Sequence, residues 1–119
     1  MDRFRADIFL PLSPVAFEIL LALADGERHG YSILQEIEAR TGGGVSLHAG
    51  TLYRALARLL ESNLIDELAE PPDPGNDDER RRYYRLTVRG IAVARAEAAR
   101  LEGQVAAARA RRLLKGVSA

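Results

Sequence analysis

A mainly α, α+β fold is what this sequence predicts: helical segments with a single two-stranded hairpin set in front of the last one. Three observations carry that reading. Apolar residues recur at helical spacing in three short segments ahead of Ser62; a Pro/Gly/Asp-rich stretch, Pro71 to Asp78, divides two short runs of strand character; and a proline-free, alanine-rich segment begins at Val88.

Taken in order, Phe4, Ile8 and Phe9 suit a short amphipathic helix before Pro11. Ser13 followed by Pro14 has the form of an N-cap with proline at the first helical position, opening an apolar core helix through Val15, Phe17, Ile19, Leu20, Leu21 and Leu23. Asp25-Gly26 ends it. A second helix begins near Gly30, with Ile33, Leu34 and Ile37 inward, and Gly42-Gly43-Gly44 breaks the chain behind it; His29 is expected to order the turn before Tyr31. From Thr51 to Leu60 the residues Leu52, Ala55, Leu56, Leu59 and Leu60 form an inward stripe, while Thr51, Arg54, Arg58 and Glu61 fall largely on the other side. That helix stops near Ser62, because Asn63 tolerates the left-handed backbone that ends helices. Leu64, Ile65, Glu67 and Leu68 start an extended segment, and three prolines between 71 and 74 confine the next stretch of chain to a surface loop. Tyr83, Tyr84 and Leu86 read as the return strand, with arginines at 80, 81, 82 and 85. At least one of Tyr83 and Tyr84 belongs under the hairpin, since a strand alternates its faces. Three helices and then a hairpin is the element order of a winged helix-turn-helix with a two-stranded wing.

Thr87 can cap a long final helix from Val88 to about Leu114, roughly 40 Å at ~1.5 Å per residue. Within it Ile91, Ala94, Ala98, Leu101, Val105 and Ala108 repeat at alternating spacings of three and four, the pattern of a helix-helix seam. A helix of that length outreaches a small domain, so a second copy of the chain is the expected partner, in a two-fold dimer. The chain thus divides into a winged-helix domain over residues 1–87 and a C-terminal dimerisation helix over 88–119.

Composition narrows the function classes. At 119 residues and 47% hydrophobic content the chain suits one domain plus an extension. Without cysteine it has no disulfide or thiolate chemistry, and its two histidines, His29 and His48, give little basis for a transition-metal site; no cofactor is expected. No phosphate-binding loop and no acid-base constellation is legible, so a non-enzyme is expected. No apolar run nears the ~18–20 residues of a membrane span, and the first residues are too acidic for a secretory signal, which points to a soluble cytoplasmic protein with no membrane association. The net charge of zero conceals a segregation: residues 1–79 carry 6 basic and 15 acidic side chains, net −9, and residues 80–119 carry 11 and 2, net +9. Such a basic half attracts phosphate or complements its own acidic half.

His29-Gly30-Tyr31, Gly50-Thr51-Leu52-Tyr53-Arg54-Ala55-Leu56, Leu64-Ile65 and Arg81-Arg82-Tyr83-Tyr84-Arg85-Leu86-Thr87 together resemble the signature segments of the PadR-like transcriptional regulators, over roughly residues 8 to 102. The single terminal helix is similar to the smaller subgroup of that family. The resemblance implies a dimeric bacterial or archaeal repressor whose first and last helices build the dimer, which brings Phe4 and Ile8 to the interface beside the seam residues. His48-Ala49 departs from the family pattern before Gly50 and implies a weaker cap on the third helix, while Asp77-Asp78-Glu79 sets repulsive carboxylates at the wing tip.

On this reading Thr51, Arg54 and Arg58 enter the major groove of double-stranded DNA, where an arginine donates two hydrogen bonds to a guanine; Tyr31, Tyr53, Arg80, Arg81 and Arg82 hold phosphates. Arg80 has an equal claim as the neutraliser of Asp77, Asp78 and Glu79, and Tyr53 an equal claim as a core residue with its hydroxyl at the edge. Two recognition helices about 34 Å apart require a pseudo-palindromic operator. Some family members respond to small aromatic or drug-like effectors at the dimer interface; Phe4, Ile8, Ala94, Ala98 and Leu101 could border such a cavity here, although a dry dimer core is the better-favoured expectation for the same residues. The alternative is a protein-interaction or dimer-scaffold module that uses the same fold without binding DNA, for which the neutral total charge and the acidic wing tip speak.

Overall fold

A computed structural model describes residues 3–68 and 82–115. A 3-10 turn, Ala6–Phe9, precedes helix α1 (Pro14–Leu23), strand β1 (Arg28–His29), helices α2 (Gly30–Arg40) and α3 (Ala49–Glu61), strands β2 (Ile65–Leu68) and β3 (Tyr83–Leu86), and helix α4 (Val88–Ala110). The fold is mainly helical with a small antiparallel sheet, as predicted. The first segment is a 3-10 turn rather than an amphipathic α-helix, since Pro11 leaves no room for further turns.

The helix ends obey local chemistry. Ser13 Oγ accepts from the Ala16 N–H and Thr87 Oγ1 from the Gly90 N–H, each satisfying a donor that the first turn leaves unpaired. His29 caps α2 by accepting the Ser32 N–H on Nδ1 at 3.1 Å. At the end of α3, Asn63 takes a φ of 61°, so that the Leu64 N–H reaches the Leu59 carbonyl and the Asn63 N–H the Leu60 carbonyl. The final helix stops at Ala110, short of Leu114, because Arg112 adopts a φ of 60° and the Leu113 N–H turns back to the Ala108 carbonyl. Its 23 residues span about 34 Å at ~1.5 Å each.

The sheet has three strands rather than the two of a simple wing. Its order is β1-β3-β2, with Ile65 opposite Leu86 and Glu67 opposite Tyr84 in one ladder, and Arg28 opposite Tyr84 in the other. As the middle strand, β3 buries both of its tyrosines: Tyr84 joins the main core, and Tyr83 stands perpendicular to the His29 ring with centroids 5.4 Å apart. Arg28 closes the α1–α2 connection, its guanidinium donating to the Ala22 carbonyl at 2.7 Å and to Ser32 Oγ at 3.1 Å. Opposite, Arg40 bridges Glu36 on its own helix and Glu18 on α1, and these partners, Glu36 foremost, hold its guanidinium well above the ordinary arginine range.

Ile19, Leu20, Ile33, Ile37, Leu52, Leu56, Leu64, Ile65 and Val93 form the centre of the core. On α4 the stripe turned into the protomer is Gly90, Val93 and Glu97, adjacent to the predicted seam. Gly90 lies against the Leu64 carbonyl so closely that a β-carbon there would overlap it. Glu97 is only 2% exposed; it accepts the Leu12 N–H at 2.9 Å and pairs with Arg100. The Arg100 hydrogen bond, opposed by burial, keeps its carboxyl below the usual range. Among the described residues no helix is long and apolar enough to cross a membrane.

Two expectations test this packing. Gly90→Ala should destabilise by about 1–3 kcal/mol or more, because the obstacle is backbone, whereas Gly103→Ala, facing open space, should stabilise by about 0.5–1 kcal/mol; urea unfolding separates the two. Because the folded Glu97 value lies below the unfolded one, its contribution is complete above the ordinary value of 4.5 and drains as pH falls through the lowered value. The stability gap between the wild type and Glu97→Gln should therefore be widest near neutrality and close below pH 4.5. A gap independent of pH would contradict the charge-based account.

Candidate nucleic-acid interface

Helix α3 is positioned by burial of Leu52, Leu56 and Leu59, spaced four and three apart, against α1 and the sheet. The same helical geometry puts Thr51, Arg54 and Arg58 on one stripe away from that core. Arg54 and Arg58 are exposed and Thr51 is half-buried. Arg54 reaches back to the Thr51 hydroxyl at 3.4 Å, and neither arginine has a carboxylate partner among the described residues. Between this stripe and the start of α1 runs a groove of about 250 Å³, lined by Ser13, Val15, Ala16, Thr51, Arg54 and Arg58 among others. Two uncompensated guanidiniums beside an apolar floor suit a ligand that offers both negative charge and flat apolar edges, as a duplex groove does.

Tyr53 lies on the opposite flank of α3, towards α2. It is 49% exposed, not a core residue, and its hydroxyl lies 2.5 Å from where a β-carbon on Gly30 would stand, so the absence of a side chain at Gly30 is what lets the ring approach the first turn of α2. Tyr31, 61% exposed, projects from that same turn. The two tyrosines thus both lie where α3 meets the first turn of α2.

The described part of the wing is less basic than its sequence implies. Arg82 is exposed and donates to Glu67 Oε1 at 2.7 Å, and Arg85 pairs with Asp66 at 3.8 Å. The hydrogen bond it donates to Glu67 raises the Arg82 guanidinium above its ordinary value, while burial, then Glu67 and Tyr53, raise the Tyr84 hydroxyl. Glu67 and Asp66 were not legible as partners, since both pairs depend on the register of the hairpin. Arg80 and Arg81 lie outside the described residues, as does the acidic run 77–79.

The residues assigned to a dimer contact divide. Ile8 is 68% exposed, and Ile91, Ala98 and Val105 are exposed along α4, with Leu101 and Ala108 half-buried. Ala94 packs partly against the protomer's own core, since it borders the Gly90–Val93–Glu97 stripe. Phe4 is also half-buried, its ring 6.0 Å from that of Phe9 and under the Arg89 guanidinium at 5.0 Å.

Residues 19–96 match the transcriptional regulator PadR-like family. The chain belongs to this family. An uncharacterized protein of Lysinibacillus sphaericus is 34% identical over 62% of the chain, which spans 65% of that relative's length. Among solved structures, a transcriptional regulator from Clostridium thermocellum is 27% identical with a TM-score of 0.67, over 88% of this chain and 94% of its own. Bacillus subtilis PadR, solved in complex with operator DNA, shares the fold at 21% identity and a TM-score of 0.59, over 71% of this chain and 47% of its own. The family is one of transcriptional regulators.

In this PadR-like chain the start of α3 has the weak cap its sequence implies. His48 has the extended backbone of an N-cap, φ −73° and ψ 148°, but its side chain makes no capping hydrogen bond. His48→Ser should therefore stabilise the fold by about 0.5–1 kcal/mol, read as a higher urea midpoint at unchanged slope. An unmoved midpoint would show that the first turn of α3 is already satisfied.

Proposed function

We propose that this chain is a sequence-specific DNA-binding transcriptional regulator, a repressor that acts in the cytoplasm as a two-fold dimer on a pseudo-palindromic operator. The observation that carries this reading is the α3 stripe of half-buried Thr51 and exposed Arg54 and Arg58, whose guanidiniums have no carboxylate partners among the described residues, in a chain of the PadR-like family. The operator complex of Bacillus subtilis PadR, which has the same fold, supports it. In the proposed complex Arg54 and Arg58 read base edges, Thr51 supports Arg54, and Tyr31, Tyr53 and the wing arginines 80 to 82 hold phosphates.

The dimer is proposed on the outward apolar positions of α4, Ile91, Ala98, Leu101, Val105 and Ala108, together with Ile8 and the rim of Phe4 and Ala94. Small alanines in that row let two helices approach closely, and the contact would set the separation of the two α3 helices. A small aromatic or drug-like effector bound between the two copies would act by favouring one separation over the other, since only differential affinity shifts such an equilibrium. The scaffold alternative draws support from the two ion pairs that neutralise the described part of the wing.

Selection of bound fragments from random DNA, followed by a salt series on the selected sequence, tests the reading. Binding should weaken with a log-log slope of about −0.9 per phosphate contact. Arg54→Ala should lose roughly 1–3 kcal/mol on the selected sequence and relax the preference at one position, whereas Arg82→Ala should weaken all sequences alike. No enrichment of any sequence, or binding indifferent to salt, would favour the scaffold.

A further inference from the structure

We propose that Glu67 is an internal competitor for the DNA phosphate that Arg82 would hold, so that the fold itself withholds part of the wing's affinity. This rests on the DNA-binding reading above. Both described arginines of the hairpin's return arm meet an acid of β2, but on opposite faces. Asp66 stands directly across from Arg85, whereas Glu67 stands across from Tyr84 and reaches diagonally to Arg82, two residues earlier on the same face. Tyr84 turns that face towards the core, which puts the Glu67–Arg82 pair on the side of the hairpin nearest α3, within electrostatic reach of Tyr53. Of the two contacts, that of Glu67 is the close hydrogen-bonded one, 2.7 Å against 3.8 Å.

A carboxylate oxygen on a guanidinium N–H occupies the place a phosphate oxygen would take, and one N–H cannot serve both fully. The Arg82 side chain is nevertheless 69% exposed, and an ion pair that open to water adds little to folding stability. The pair is therefore weak enough to exchange and strong enough to cancel a positive charge beside the recognition helix. Any duplex approaching Tyr53 and Arg82 must displace Glu67 or tolerate its charge, with lower affinity and a shallower salt dependence than an open arginine would give.

Glu67→Gln preserves size and removes the charge, and Asp66→Asn removes an equal charge from the other face. Wild type, E67Q, D66N, R82A and the E67Q/R82A double variant should be titrated by fluorescence anisotropy against one fixed mixed-sequence duplex over a salt series, with thermal unfolding run alongside to establish that each variant is folded. E67Q should bind about two- to five-fold more tightly at low salt, with its log-log slope steeper by about 0.9. D66N should gain less, and the benefit of E67Q should vanish in the R82A background. An equal gain in D66N, or a gain that survives R82A, would reduce the effect to net charge and overturn the proposal, as would an E67Q that binds no better than wild type. Those results leave DNA binding intact; a folded wild type that binds no duplex even at the lowest salt would overturn both readings.

Discussion

The carbonyl of Leu64 is the point on which the other contacts turn. It accepts the Thr87 N–H at 3.1 Å, and Gly90 lies directly against it. Beside it the Thr87 hydroxyl donates to the Asn63 carbonyl at 2.7 Å while capping α4 through Gly90. Within a few residues, then, the C-terminus of α3, both roots of the hairpin and the first turn of α4 share one small set of backbone groups. Each group is satisfied only if the others hold their places, because a buried peptide left without a partner is costly. The angle of α3 relative to the hairpin and to α4 is set by this junction rather than by side-chain packing alone.

Electrostatics is arranged on a finer scale than the charge of either half of the chain suggests. The basic C-terminal half does not present an unbroken positive surface: Arg82, Arg85 and Arg100 each meet an acid, and Arg89 lies over the Phe4 ring. In the acidic half, Arg28 and Arg40 are likewise engaged, binding α1 to α2. Arg54 and Arg58, like Arg95, Arg109 and Arg112 towards the C-terminus, meet no carboxylate among the described residues, and they differ from these in lying on α3 beside a groove. Exposed guanidiniums on a helix packed against the core, beside a groove, are a natural place for a ligand to bind.

Much of this was legible in local sequence because it depends on local chemistry. Ser13-Pro14, Thr87 and Asn63 announce helix ends by the hydrogen bonds and dihedrals those residues permit, and the leucine spacing of α3 fixes which of its faces is left for Arg54 and Arg58. What escaped depends on partners distant in the chain. A two-residue strand at Arg28–His29 has no signal of its own and exists because β3 offers it an edge. Glu97 reads as a polar residue beside the α4 seam, and its burial is owed to an amide 85 residues away. The pairs of Glu67 and Asp66 need the hairpin register, and the early end of α4 at an arginine in left-handed conformation carries no glycine to flag it.

The two attachments of α4 have a mechanical consequence. Gly90 is pressed to the Leu64 carbonyl, and Glu97, two turns on, is clasped to the root of α1 through Leu12. A rod held at two separated points cannot swivel about either, so its inner half is fixed against α1, the 3-10 turn and β3, the elements it packs on. Beyond Arg100 the side chains are exposed or only half-covered, and that stretch is an overhanging beam. A force applied to the overhang therefore enters the body through those two attachments, at the root of the hairpin and at the root of α1.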